Sequence, residues 1–238
     1  MGVSFLWKLV YDALTTDHFH FPTSSSAQGF LTVTICRHIV EGKLQELWRL
    51  HVWLPGGDPG HEGFSIHKHN AFGQSRFVAG QGTNHVWSIE EDAKAEQKED
   101  TQKGDLIPLS KYRLEWTDTN GSSTAYKTNQ TSSTVINTGK LVVARRLEST
   151  SHSSGMCYTI GEDEYHSSAV SKDRISATLF VFNSSRGHNN DEETIIGPRD
   201  QEKSTFVRCV ADKTAKELCI LVEKAIDQER CEPVMNKW

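Results

Sequence analysis

The sequence predicts an all-β barrel with one α-helix at each end of the chain. Short segments in which apolar and β-branched residues alternate with polar ones recur through most of its length, as half-buried strands require. They are separated by turn signals such as Pro55-Gly56-Gly57, Gly80-Gln81-Gly82 and Asn137-Thr138-Gly139. Helical spacing of apolar residues occurs near the N-terminus and again after residue 210. A chain of 238 residues is long enough for one sizeable core. A single domain over 1–238 is therefore expected: an N-terminal helix at 1–16, a barrel with inserted hairpins at 31–183 and a C-terminal helix at 210–230.

Val3, Leu6, Trp7, Val10, Tyr11 and Leu14 share one helical face, with Lys8 and Asp12 elsewhere. His18-Phe19-His20 follows, a histidine pair that runs at once into Pro22 and a serine loop with no third ligand in view. Leu31 to Val40 alternates as a strand, Gly42-Lys43 turns, and Glu46 to Leu54 returns as its partner. Pro55 to Phe64 is a Gly-rich loop whose His61 reads as an exposed histidine within reach of a metal at the barrel mouth. Phe77-Val78-Ala79 and His85 to Ile89 bracket Gly80-Gln81-Gly82, which predicts a tight hairpin.

Glu90 to Asp105 mixes charges of both signs and reads as a solvated excursion. Tyr112 to Trp116, Ser122 to Lys127 and Val135 to Leu147 read as strands of hairpins that roof the barrel. Met156 to Ile160, Glu164 to Val170 and Ile175 to Phe182 close it, and Ser184 to Ser204 is polar enough to be loop. Ala211, Ala215, Leu218, Cys219, Val222, Ala225 and Ile226 then form the second helical stripe.

The chemistry centres on Ile66-His67-Lys68-His69. Two histidines one residue apart point to the same face of a strand, so their imidazoles can share an ion. His166, in Tyr165-His166-Ser167, supplies a third ring from a distant strand. Three neutral imidazoles suit iron, copper, nickel or zinc far better than magnesium or calcium, which prefer oxygen. Tyr158 has the parity to face the same interior if its hairpin pairs simply. Arg76 is close enough in sequence to the histidine pair to bind an anionic substrate.

His67-Lys68-His69, the glycine turn at 80–82 and the late His166 resemble the two motifs of the cupin superfamily, jelly-roll β-barrels that hold a metal inside. Within it the pattern is most similar to cysteine-dioxygenase-like thiol dioxygenases, through Leu50 to Gly56, Ser65 to His69, Cys157-Tyr158, Tyr165-His166 and Ala177 to Phe182. The likeness spans about the middle two thirds of the chain. It implies a non-haem Fe(II) dioxygenase, an oxidoreductase, acting on a small organic substrate. His67, His69 and His166 would be ligands, Fe(II) the first choice of metal and Zn, Ni or Cu the alternatives. Where many cupins carry a glutamate ligand, this chain has Gln74. The positions that are cross-linked cysteine and tyrosine in mammalian-type members are Gln74 and Phe182. Arg37 lies about where that family keeps a carboxylate-binding arginine. Cysteine as substrate is not supported. A redox-neutral metallo-cupin isomerase, cyclase or lyase and a non-catalytic ligand-binding barrel are the other readings.

A formal charge of −5 with no basic stripe argues against nucleic acid as a partner. No apolar run approaches the roughly 20 residues of a spanning helix, so no membrane partner is expected. Five cysteines with no CxxC point to a reducing, cytoplasmic setting. The two amphipathic end helices are compatible with a homodimer.

Overall fold

The computed structural model describes residues 2–16, 20–58, 60–91, 106–117, 123–124, 132–189, 194–207 and 211–231. Helix α1 (Val3–Thr15) opens the chain, and β1 (Thr23–Ser25), β2 (Leu31–Val40) and β3 (Lys43–Trp53) follow as an antiparallel meander. Next come β4 (Ile66–His67), β5 (Ala71–Ala79), β6 (Gln81–Glu91), β7 (Leu106–Thr117), β8 (Ser123–Thr124) and β9 (Ser132–Ser153). The chain ends with β10 (Cys157–Ile160), β11 (Tyr165–Val170), β12 (Ser176–His188), β13 (Thr194–Gly197), β14 (Lys203–Val207) and α2 (Ala215–Cys231).

These strands form two sheets, ordered β1-β2-β3-β12-β5-β10 and β14-β9-β6-β11-β4-β13-β7-β8. The pairings nest: β3 with β12, β4 with β11, β5 with β10 and β6 with β9, all antiparallel. That is one long hairpin rolled up so that successive strands fall in opposite sheets, which makes the fold an all-β jelly roll with a helix at each end. β7 also pairs β9, so the larger sheet closes on itself.

Two predicted hairpins are corrected by this topology. β5 and β6 follow one another through Gly80 but lie in different sheets, and so do β10 and β11. Gly80 makes the crossing possible: its φ is +74°, and a Cβ there would sit 2.5 Å from the Ile175 carbonyl oxygen. The segment read as loop from Ser184 to Ser204 contains the end of β12, all of β13 and the start of β14. β13 is short and set among polar residues, but it bridges β4 and β7 and so cannot be spared. The inserted strands β7 and β9 extend the larger sheet. The stretch 92–105, His18 and Cys209 lie outside the described residues.

Alternation along β3 and β12 divides the smaller sheet into two faces. Leu50, Val52, Ala177 and Leu179 point outward and are sealed by Trp7, Val10 and Leu14 of α1 and by Leu218, Val222 and Ile226 of α2. The helices are tied as well as packed. Trp7 Nε1 donates to Glu223, and at the start of α2 Thr214 and Glu217 bond reciprocally, side chain to backbone, as a capping box. No helix among the described residues is long and apolar enough to cross a membrane. The other face of the sheet looks inward, onto a cavity.

Candidate metal centre

His67 ends β4 and is directly opposite His166 of β11, with Ile195 of β13 on its other side. The regular strand stops there, so it is shorter than the histidine pair it was expected to carry. The extended backbone nevertheless runs on, because Lys68 N–H donates to the Thr194 carbonyl at 3.1 Å. Side chains therefore keep alternating. Lys68 points out to Asp163, 2.8 Å away, and His69 turns in beside His67.

The three rings converge. Their centroids are 4.5 Å (His67–His166), 4.8 Å (His67–His69) and 5.2 Å (His69–His166) apart, and one nitrogen from each lies within 4.8 Å of the others. His69 Nε2 and His166 Nε2 face each other at 3.2 Å. Two nitrogens bound to one ion at about 2.0–2.1 Å stand about 3 Å apart, so this spacing matches that of two ligands on one ion. The outer nitrogens are engaged elsewhere. His67 Nδ1–H donates to the Ser65 carbonyl at 2.9 Å, and His166 Nδ1–H donates to Asn84 Oδ1 at 3.2 Å. Each bond fixes the tautomer that leaves Nε2 as a lone-pair donor.

Burial holds all three rings below the ordinary imidazole value. For His67 the Ser65 bond opposes it, and for His69 and His166 the neighbouring imidazoles add to it. They are neutral donors near pH 7, the form a metal needs. The donor set thus fits a divalent transition metal. Magnesium and calcium are disfavoured by the absence of any carboxylate in the set.

The histidines open onto a cavity of about 380 Å³ between the sheets. Leu47, Arg49, His51 and Trp53 reach it from β3, and Thr178, Phe180 and Phe182 from β12. Among the described residues no aspartate or glutamate lines it. The His51 ring is sandwiched between Phe30 (4.2 Å, 26°) and Phe180 (5.3 Å, 23°), and burial, reinforced by the Arg49 charge, holds it well below its ordinary pKa. The Arg49 guanidinium lies 5.7 Å from the Phe182 ring, which in turn packs 5.0 Å from His69.

The remaining expected site residues fall on both sides of the wall. Tyr158 lines the cavity, stacked on His152 at 4.6 Å, although β10 pairs β5 and not β11 as a simple hairpin would. Arg76 does not line it. It is on the face of β5 opposite Ser75, in register with Leu179 of the helix-covered side. Arg37 is exposed on β2. The residue of β5 opposite Phe182 is Gly73, so Gln74 faces away from the histidines and from Phe182. His61 lines the cavity, 3.3 Å from the Ser204 hydroxyl, and is not a bare loop residue. Arg49, His51 and Thr178 had not been singled out. Their signal was parity: polar residues at 49 and 51 share the inward face of a strand whose other face, Leu50 and Val52, is apolar.

No family model matches this sequence, and no curated protein does. Among solved structures the chain is similar to oxalate decarboxylase of Lactobacillus farciminis, in a formate complex, at 12% identity and a TM-score of 0.34. The match covers 69% of this chain and 32% of that one, so the chain spans about a third of that protein's length.

Proposed function

We propose that this chain is a metal-dependent enzyme of the cupin superfamily, and more specifically a non-haem Fe(II) dioxygenase acting on a small organic substrate. The observation that carries the reading is the convergence of three neutral histidines on the wall of a cavity, one nitrogen of each within 4.8 Å of the others and the His69–His166 pair at 3.2 Å. The rolled-hairpin topology that brings β4 and β11 together supports it.

His67, His69 and His166 would hold the ion, leaving positions for substrate and oxygen. Fe(II) held there would supply redox capacity and Lewis acidity for a dioxygenation, in which the substrate gives up the four electrons that dioxygen accepts. The protein's own part is different. Ser65 and Asn84 hold the imidazoles of His67 and His166 in the ligating tautomer, aromatic side chains line the cavity, and Tyr158 presents its phenol there. Arg76, turned to the other side of β5, has no part in this scheme. The thiols of Cys36, Cys157, Cys219 and Cys231 are all free, in keeping with work in a reducing compartment.

A zinc or nickel ion on the same three donors would instead serve as a Lewis acid in an isomerase or lyase. The lack of a carboxylate ligand, a donor set shared with catalytic zinc, favours keeping this second reading. Elemental analysis of anaerobically purified protein, with an oxygen-consumption screen of small organic acids, separates the two. The expected result is one iron per chain and substrate-dependent oxygen uptake, both lost in His67→Ala, His69→Ala and His166→Ala. Turnover without oxygen would move the assignment to the Lewis-acid class. Failure of the wild type to take up any transition metal would end both.

A further inference from the structure

The cavity carries polar groups that the metal does not use. His51 Nε2 and Thr178 Oγ1 are buried with no hydrogen-bond partner. Their residues are 7% and 1% exposed, and both line the cavity. They are also direct register partners on β3 and β12, so the two residues sit side by side in one patch of wall. A buried polar atom left unpaired costs about 1–3 kcal/mol, so each such atom calls for a partner such as water, an ion or a ligand.

The charge beside that patch is positive. Arg49, two residues from His51 on the same face, lines the cavity, and Lys68, which also borders it, directs its ammonium outward to Asp163. The walls are flat and apolar, from Phe30, Trp53, Phe180, Phe182 and Trp116. A volume of about 380 Å³ is in the range that encloses a ligand of ring-system size.

From this we infer that the substrate is an aromatic or conjugated carboxylate bearing a further hydroxyl or carbonyl. Arg49 receives its carboxylate, the His51–Thr178 patch bonds its second polar group, and the aromatic walls hold its flat body. The assignment deepens the metalloenzyme reading, since it names what would be presented to the three-histidine centre. Arg49 and the His51–Thr178 pair are positioning groups in it.

The test titrates three probes by calorimetry into the full chain, metal-loaded and metal-stripped: 2-naphthoate, its uncharged analogue 2-naphthamide, and 6-hydroxy-2-naphthoate. The naphthoate should bind about tenfold to a hundredfold tighter than the amide, as a charge-assisted bond implies. In Arg49→Met it should fall to the amide's level while the amide holds its affinity. The hydroxyl should add a further gain of about two- to tenfold, lost in Thr178→Val.

Three results would overturn the proposal: equal binding of naphthoate and amide by the wild type, no binding of any probe, or a preference that survives Arg49→Met. The wild-type comparison decides it even where a variant does not fold. A naphthoate preference in a protein that takes up no metal would keep this inference and remove the metalloenzyme. Stoichiometric metal with no preference would do the reverse.

Discussion

The two faces of the β3–β12–β5 sheet share the same backbone hydrogen bonds and differ in everything else. Outward, Leu50, Val52, Ala177, Leu179 and Val78 meet two helices in a continuous apolar seam. Inward, one residue along each strand, come Arg49, His51, Ser75 and Thr178, which line the cavity, with His51 Nε2 and Thr178 Oγ1 buried without a hydrogen-bond partner. The outer face is packed into the core, and the inner face lines the cavity. Because strand side chains alternate, each face can be altered with little direct effect on the other.

The largest separable effect is expected on the outer face. Leu218 is fully buried between α2 and the sheet. Leu218→Ala removes its buried methyl groups and leaves a cavity, so unfolding should become easier by about 2–5 kcal/mol. Metal stoichiometry at low temperature should not change. Chemical denaturation checks the first expectation and elemental analysis the second. A variant that kept full stability would mean that the helices do not seal the sheet, and one that folded but lost its metal would mean that the two faces are coupled.

The contrast between the faces also separates what was legible in the sequence from what was not. Periodicity along single segments exposed both helices and most of the strands, because a one-faced element writes its burial into its own residues. β2 and β11 were found within a residue of their ends for that reason. The histidine pair and His166 were found because metal chemistry restricts ligands to a few residue types. Partnership between strands was not legible. Nothing near Gly80 states that β5 and β6 part into different sheets, and nothing near Tyr158 states that its partner is Ser75. For the same reason Arg76 was expected at the cavity and Arg49, which lines it, was not. Sequence distance from His69 favoured Arg76, whereas strand parity, once the pairing was known, turned it to the other face.

A second variant sharpens the comparison on the inner face, one step behind the ligands. Asn84, 6% exposed on β6, accepts from His166 Nδ1–H at 3.2 Å. Asn84→Leu should weaken metal affinity by about tenfold to a hundredfold, since the ring loses its orienting acceptor. Competition against a chelator of known affinity gives the number. An unchanged affinity would show that packing alone orients His166.

The smallest effect is expected where the inner face meets solvent. Lys68 stands between His67 and His69 and points out to Asp163, whose other oxygen accepts from Asn189 at 2.6 Å. Asp163 is about half exposed, so the pair is screened and Asp163→Asn should cost no more than about 1 kcal/mol of stability. The Lys68 bond first, then that from Asn189, holds the Asp163 carboxyl below its ordinary value of 3.8. A carboxyl lowered by folding contributes stability that is present above that value and is lost as the pH falls below it. Wild type and Asp163→Asn should therefore differ slightly at pH 7 and converge in acid, with metal affinity within a few-fold throughout. Loss of the metal in Asp163→Asn would mean that the direction of His69 depends on this outward bond and not on the extended backbone that Lys68 N–H and Thr194 maintain.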